Sequence, residues 1–284
     1  MHFADRLHDA TRRTGSPVCI GLDPVLESLP ADLRAQHHDP LEAIADFCRG
    51  VLHAAATHAP AVKFQSACFE RFGGRGVMLL EHLITDAASL GFAVVLDSKR
   101  GDIGISASHY AAGAKRTGAH AITVSGYLGP SGVSPFLDAG LAAFVLVRTS
   151  NPDSDAVQAH PLADGRTVAE MMADHVAALG GGRLGACGLS DVGAVVGATK
   201  SGEGRSLRAR MPTQVFLVPG YGAQGGTAED IRALLTPRGD GVLVTASRSI
   251  IYAPGDGPWR DRVAAAAKRL NAEIAAVVGG RGGS

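Results

Sequence analysis

The sequence predicts a single-domain (β/α)8 barrel over residues 1–278, with 279–284 as a flexible C-terminal tail. Three observations predict it. Short apolar runs recur eight times, in alternation with helical segments. The runs are apolar on both faces, as strands buried in a parallel sheet must be. No Pro-, Gly- or Ser-rich linker divides the chain, and strict β-α alternation to a count of eight favours a closed barrel over an open doubly wound sheet.

The elements follow in order. Pro17 to Leu22 is a short apolar run that ends in Asp23 and Pro24. Leu41, Ile44, Phe47, Cys48, Val51, Leu52 and Ala55 then repeat at the spacing of an amphipathic helix over 40–58. Residues 61–65 form a strand with Lys63 in its middle, which is costly unless the lysine is paired or functional. Val77, Leu79, Leu80, Leu83, Ile84, Ala87 and Leu90 place a helix over 76–90, and Gly91 stops it.

Residues 92–96 are the next strand, 105–117 a helix and 121–125 a strand. A short helix near 133–139 leads to a strand over 141–147. Asn151 to Gly165 is the longest polar stretch and reads as an unstructured loop, a candidate lid. A helix over 166–179 carries Val168, Met171, Met172, His175, Val176 and Leu179 on one stripe, the methionines as core filler. Strands over 192–198, 214–218 and 241–245, a helix over 227–235 and a final helix over 258–278 complete the count.

Composition narrows the function. The 284 residues are 46% hydrophobic, enough for one large core or two modest ones. Lys plus Arg equals Asp plus Glu at 27 each, which argues against nucleic acid or a membrane surface as partner. Cys19, Cys48, Cys68 and Cys187 are widely spaced, with no C-x-x-C pair, so zinc ribbons and thioredoxin-like motifs are excluded and buried free thiols in a reducing compartment are expected. The N-terminus has no apolar signal core and no run reaches about 18 apolar residues, the pattern of a cytoplasmic protein.

Polar residues gather where the strands finish: Asp23, Lys63, Asp97, Lys99, Ser125, Thr149, Thr199, Gln224 and Arg248. In a barrel those ends converge on one mouth, where active sites lie. The densest stretch is Asp97-Ser98-Lys99-Arg100-Gly101-Asp102-Ile103-Gly104. Simple alternation along the strand puts Asp97 and Lys99 on one face, and Gly101 is expected to let the chain swing Asp102 away from Lys99.

The glycine-rich run Gly220 to Gly226, including Gly225 and Gly226, leads into a helix and should leave backbone N–H groups free for phosphate. Arg248, after the eighth strand, adds a fixed cation. The same run matches G-x-G-x-x-G, but Asp240 precedes the next strand instead of ending it, so a dinucleotide fold is rejected. Asp23, Asp97 and Asp102 could hold Mg²⁺ through oxygen. Lys63 and Lys99 supply the balancing charge instead, and no metal site is expected.

These residues resemble the orotidine 5'-phosphate decarboxylase family, in its longer bacterial, mycobacterial-type (type 2) subfamily. Asp97 to Gly104 is similar to the family's D-x-K-R-G-D-I-G signature. Gly21-Leu-Asp23-Pro, Val62-Lys63-Phe-Gln, Ser125-Gly-Tyr-Leu-Gly129, Thr149-Ser-Asn-Pro152, Val196-Gly-Ala-Thr199, Val218 to Gly226 and Ser247-Arg248-Ser-Ile250 fall in the family's order. The D-x-K-x-x-D core alone is shared with hexulose-phosphate synthases and ketogulonate-phosphate decarboxylases. Ser98 and Gly126 depart from the usual Ala or Gly, and Ser or Pro.

The resemblance implies decarboxylation of orotidine 5'-monophosphate to UMP, with neither metal nor organic cofactor. It implies Lys99 as proton donor to C6 of the pyrimidine, with Asp97 against the substrate carboxylate. Lys63 and Asp102 would complete the charged network, Asp102 reaching across the interface of a homodimer. Asp23 and Lys63 would hold ribose hydroxyls, Ser125 the pyrimidine, and Gln224 with Arg248 the phosphate. A Mg²⁺-dependent sugar-phosphate decarboxylase or aldolase and a non-catalytic nucleotide-binding barrel remain the rivals.

Overall fold

The computed structural model describes residues 1–198, 201–222 and 225–279. Its strands are β1 (Val18–Leu22), β2 (Ala61–Gln65), β3 (Ala93–Arg100), β4 (Ala121–Val124), β5 (Ala142–Arg148), β6 (Ser190–Val196), β7 (Gln214–Pro219) and β8 (Val242–Ala246). They close into one barrel in chain order. Every neighbouring pair is parallel, and β1 completes the ring on β8 through Val18↔Val244 and Cys19↔Thr245.

Two apolar layers hold the ring. Alternate strand residues such as Ile20, Val62, Phe64, Val94, Ile122 and Val244 pack outward against helices, among them Pro40–Ala55, Gly73–Ser89 and Trp259–Gly279. The other alternation fills the barrel with Cys19, Ala61, Ala93, Val95, Ala121, Ala142, Phe144, Leu217 and Leu243. Because side chains alternate along a strand, this inner set dictates what lies above it. Lys63 follows Ala61 on β2, and Asp97 follows Val95 on β3. The barrel's own periodicity thus delivers both charged groups to the top of the interior.

The bottom is closed by a helix that the hydrophobic pattern did not reveal, Phe3–Thr14. β2 to β5 each begin on an inward alanine, and the space this leaves is taken by Phe3, Leu7 and Phe144. The Phe3 and Phe144 rings meet edge-on at 5.7 Å, a favoured aromatic geometry. Asp5 ties the helix to the far side of the ring by accepting from the backbone N–H groups of Ala186 and Cys187 at 3.1 and 2.8 Å.

Three further expectations change. Asn151 to Gly165 is not an unstructured loop: a 3-10 turn (Pro152–Ser154) and a helical turn (Asp155–Gln158) occupy its first half, and Pro161 bridges Thr167 in its second. The helix Ser201–Arg210 fills the interval between β6 and β7, where no periodicity pointed to one. The third strand runs on past the expected apolar run 92–96 to Arg100, and so carries Asp97 and Lys99 within the sheet. The four cysteines are free, as expected, but only Cys19 and Cys48 are buried; Cys68 and Cys187 are half-buried. Gly279 is the last residue of the final helix, and the rest of the expected tail lies outside the described residues.

Candidate active site

The end of β3 is irregular in a way that alternation does not foresee. Leu96 pairs with Ile122 and Arg100 with Val124, so four steps along β3 answer two along β4. Lys99 absorbs the excess: its φ of +46° makes it the one non-glycine residue in the left-handed region among the described residues. Such a backbone costs on the order of 1–3 kcal/mol and persists where the surroundings enforce it. Thr123 does the enforcing. Its buried hydroxyl accepts from the Lys99 N–H at 2.9 Å and donates to Asp97 Oδ1 at 2.8 Å.

Asp97 is the centre of the charges. Oδ1 takes the Lys99 ammonium at 2.6 Å, and Oδ2 takes the Lys63 ammonium at 2.7 Å, with Gln65 further off at 3.4 Å. Burial alone would raise the Asp97 pKa, but the Lys63 and Lys99 charges reverse that and bring it down to about 2. Lys63 is only 7% exposed. Burial pushes its pKa down, yet Asp23 at 3.4 Å and Asp97 outweigh this and raise it above the ordinary lysine value. The Lys99 side chain differs: it is 47% exposed. One ammonium is thus locked beneath the carboxylate while the other reaches the mouth.

Asp23, Lys63, Asp97, Lys99 and Arg248 line one cavity of about 640 Å³ at the C-terminal ends of the strands, with Thr149 on its wall. That size and place suit a small-molecule site in this fold. Arg248 begins the short helix after β8, and its guanidinium has no hydrogen-bond or ion-pair partner among the described residues. It remains available to an anion.

Other predicted positions sit elsewhere. Ser125 is not in the lining; its N–H donates to the Arg100 carbonyl at 2.7 Å, and its hydroxyl faces the Tyr127 N–H at 3.5 Å. Gly101 has no left-handed φ to exploit. A Cβ there would crowd the Ser125 Cβ at 3.2 Å, so a larger residue would need Ser125 to give way. Asp102 turns away from Lys99, its carboxylate accepting the Ile103 N–H at 2.8 Å, and does not line the cavity.

The glycine-rich loop departs most from expectation. The amides of Gly222, Gly225 and Gly226 are spent on carbonyls of Gly226, Gly222 and Gly220. The helix that follows, Ala228–Leu234, is capped by its own Thr227 and Asp230. Those three loop amides are therefore not open to phosphate in this conformation, and Gly220 and Tyr221 line the cavity. Gln224 and Thr199 lie outside the described residues. The wall between β5 and β6, with Ser150, Asn151, Asp153 and Gln158, was missed as a binding surface, although Thr149-Ser150-Asn151-Pro152 had stood out as a motif.

Fold and site together define the class: a (β/α)8-barrel enzyme whose mouth presents two ammonium groups on one buried carboxylate. The chain belongs to the orotidine 5'-phosphate decarboxylase / HUMPS family, whose pattern it matches over residues 16–258. It is 39% identical to an orotidine 5'-phosphate decarboxylase of Rhodopirellula baltica, over 96% of this chain and 99% of that one. It is 40% identical to an enzyme of the same name from Deinococcus radiodurans, over 94% and 95% of the two chains. Among solved structures, the OMP decarboxylase of Leishmania donovani superposes with a TM-score of 0.81 at 34% identity, covering 98% of this chain and 99% of that one.

Proposed function

We propose that this protein converts orotidine 5'-monophosphate to UMP and CO₂ in pyrimidine biosynthesis, with Lys99 as proton donor and no cofactor. The observation that carries the reading is the Lys63–Asp97–Lys99 arrangement at the top of the barrel, in a chain whose relatives carry that enzyme's name over nearly their whole length.

The chemistry asks for this arrangement. When the C6 carboxylate leaves as CO₂, its bonding electron pair stays on a vinylic carbon that water stabilises poorly. An ammonium fixed beside that carbon lowers the transition state more than the ground state, which is how a barrier falls. Lys99 then transfers its proton to C6, giving UMP, and recovers a proton from solvent through its exposed side. Lys63, held by Asp23 and Asp97, keeps Asp97 ionised and in place. Arg248 takes the phosphate.

Asp102 completes the array in this reading by entering the site of a second copy. Its position outside its own cavity supports that role, as do the exposed apolar side chains around it: Ile103, Ile105, Tyr127 and Leu128 are 60, 75, 83 and 46% exposed. Burying such a cluster against a second copy would remove it from water.

The test is orotidine 5'-monophosphate mixed with the protein in EDTA. The orotidylate absorbance should decay and UMP should accumulate. No decay, or decay only after Mg²⁺ is restored, would favour a metal-dependent sugar-phosphate enzyme; tight binding of the nucleotide without turnover would indicate a binding barrel.

A further inference from the structure

The wall between β5 and β6 is held in an unusual way. Between residues 151 and 158 only Ser154 is buried, so this roof over the cavity has no apolar anchor of its own. What grips it is Arg148, the last residue of β5, which is 1% exposed and does not itself line the cavity. Its guanidinium donates to the Ser154 hydroxyl at 3.0 Å and to Asp155 at 2.6 Å. It also forms a two-pronged pair with Glu203 of the helix Ser201–Arg210, at 2.9 and 3.0 Å. Ser154 passes the restraint on to the Thr149 carbonyl at 3.1 Å, and Gln158 bonds the Thr149 N–H at 2.8 Å.

We propose that Arg148 is a positioning residue that pins this roof to the helix Ser201–Arg210, making Thr149, Asn151 and Gln158 a standing wall of the substrate cavity. The role rests on the reading of the cavity as a nucleotide site. A planar guanidinium is suited to it, because its rigid fork satisfies a bidentate carboxylate and two further acceptors at once. A lysine offers one point charge and cannot span all three elements. A wall ordered before the ligand arrives spares the cost of ordering it on binding. Arg148 therefore acts on how well substrate is held, and the proton transfer at Lys99 proceeds as before once substrate is bound.

The test compares wild type with Arg148→Lys and with Asp155→Asn, which weakens the roof-side arm, keeps the Glu203 pair and serves if the buried substitution prevents folding. Amide hydrogen exchange over 152–158 should speed up by about 10-fold or more while the strands keep their protection. KM for orotidine 5'-monophosphate should rise about 10-fold with kcat within about threefold, the signature of lost ground-state and transition-state binding alike. Unchanged exchange over 152–158 with unchanged KM in a folded variant would overturn the proposal, as would a loss confined to kcat. The exchange measurement needs no substrate. If wild type fails to turn over orotidine 5'-monophosphate, the functional reading fails and exchange alone decides the role of Arg148.

Discussion

Asp97 illustrates how a single residue's neighbours decide its chemistry. Its carboxyl titrates at about 2 in the folded protein against an ordinary 3.8, because two ammonium groups overcome the cost of burying it. A carboxylate whose pKa is lower when folded stabilises the protein above its unfolded value and loses that contribution as pH falls through the folded one. The contribution is on the order of 2 kcal/mol near neutrality, with about half gone by pH 3. Denaturant titrations of wild type and Asp97→Asn should show a stability gap that is flat from pH 7 to about 5 and narrows towards pH 3. A gap that stays constant down to pH 3 would mean the ion pairs do not set it. Arg248 supplies the other residue-scale prediction. Arg248→Ala should weaken binding of orotidine 5'-monophosphate by about 10-fold or more, yet leave binding of the phosphate-free nucleoside unchanged. Equal losses for both ligands, measured by calorimetry, would remove the phosphate from this residue.

At the scale of elements, the bulge in β3 is the feature on which the site depends. Alternation pointed correctly to Asp97 and Lys99 as neighbours, but for the wrong reason. Two extra residues and a left-handed Lys99 bring them together, and no local pattern announces such a register shift. Thr123 was equally invisible, because the hydroxyl's partners lie 24 and 26 positions back in the chain. Thr123→Val keeps the shape but strands the Lys99 N–H and removes a donor to Asp97. It should cost about 1–3 kcal/mol of stability and lower kcat with it. Full activity and stability in that variant would show that the bulge holds itself. The strands themselves were legible, since Val, Ile, Leu and Ala runs are what a two-sided buried sheet requires. The Phe3–Thr14 helix was not, because it spends its apolar residues on a plug for alanine-lined space that only the closed ring creates. Arg148 escaped for the same reason: Glu203, its main partner, is 55 residues away.

At the scale of the whole molecule, the barrel places two ammonium groups and their shared carboxylate within one chain but leaves Asp102 outside its own cavity. In the proposed dimer each site borrows that carboxylate from its neighbour. Lys99→Ala and Asp102→Asn should then each be inactive alone, and refolding a 1:1 mixture should restore about a quarter of wild-type activity, since half the dimers carry one intact site of two. No recovery in a mixture shown by sedimentation to contain dimers would place the Asp102 contribution within its own chain or nowhere.

The central claim is that Lys99 both stabilises the charge left at C6 and protonates it. The most direct measurement is turnover of orotidine 5'-monophosphate by Lys99→Ala, with nucleotide binding and fold verified alongside. Loss of an acid–base factor of about 10²–10⁴ together with the charge stabilisation should lower kcat by at least about 10⁴, roughly 5 kcal/mol or more. Decarboxylation by the folded, nucleotide-binding variant at a rate near that of wild type would contradict the account.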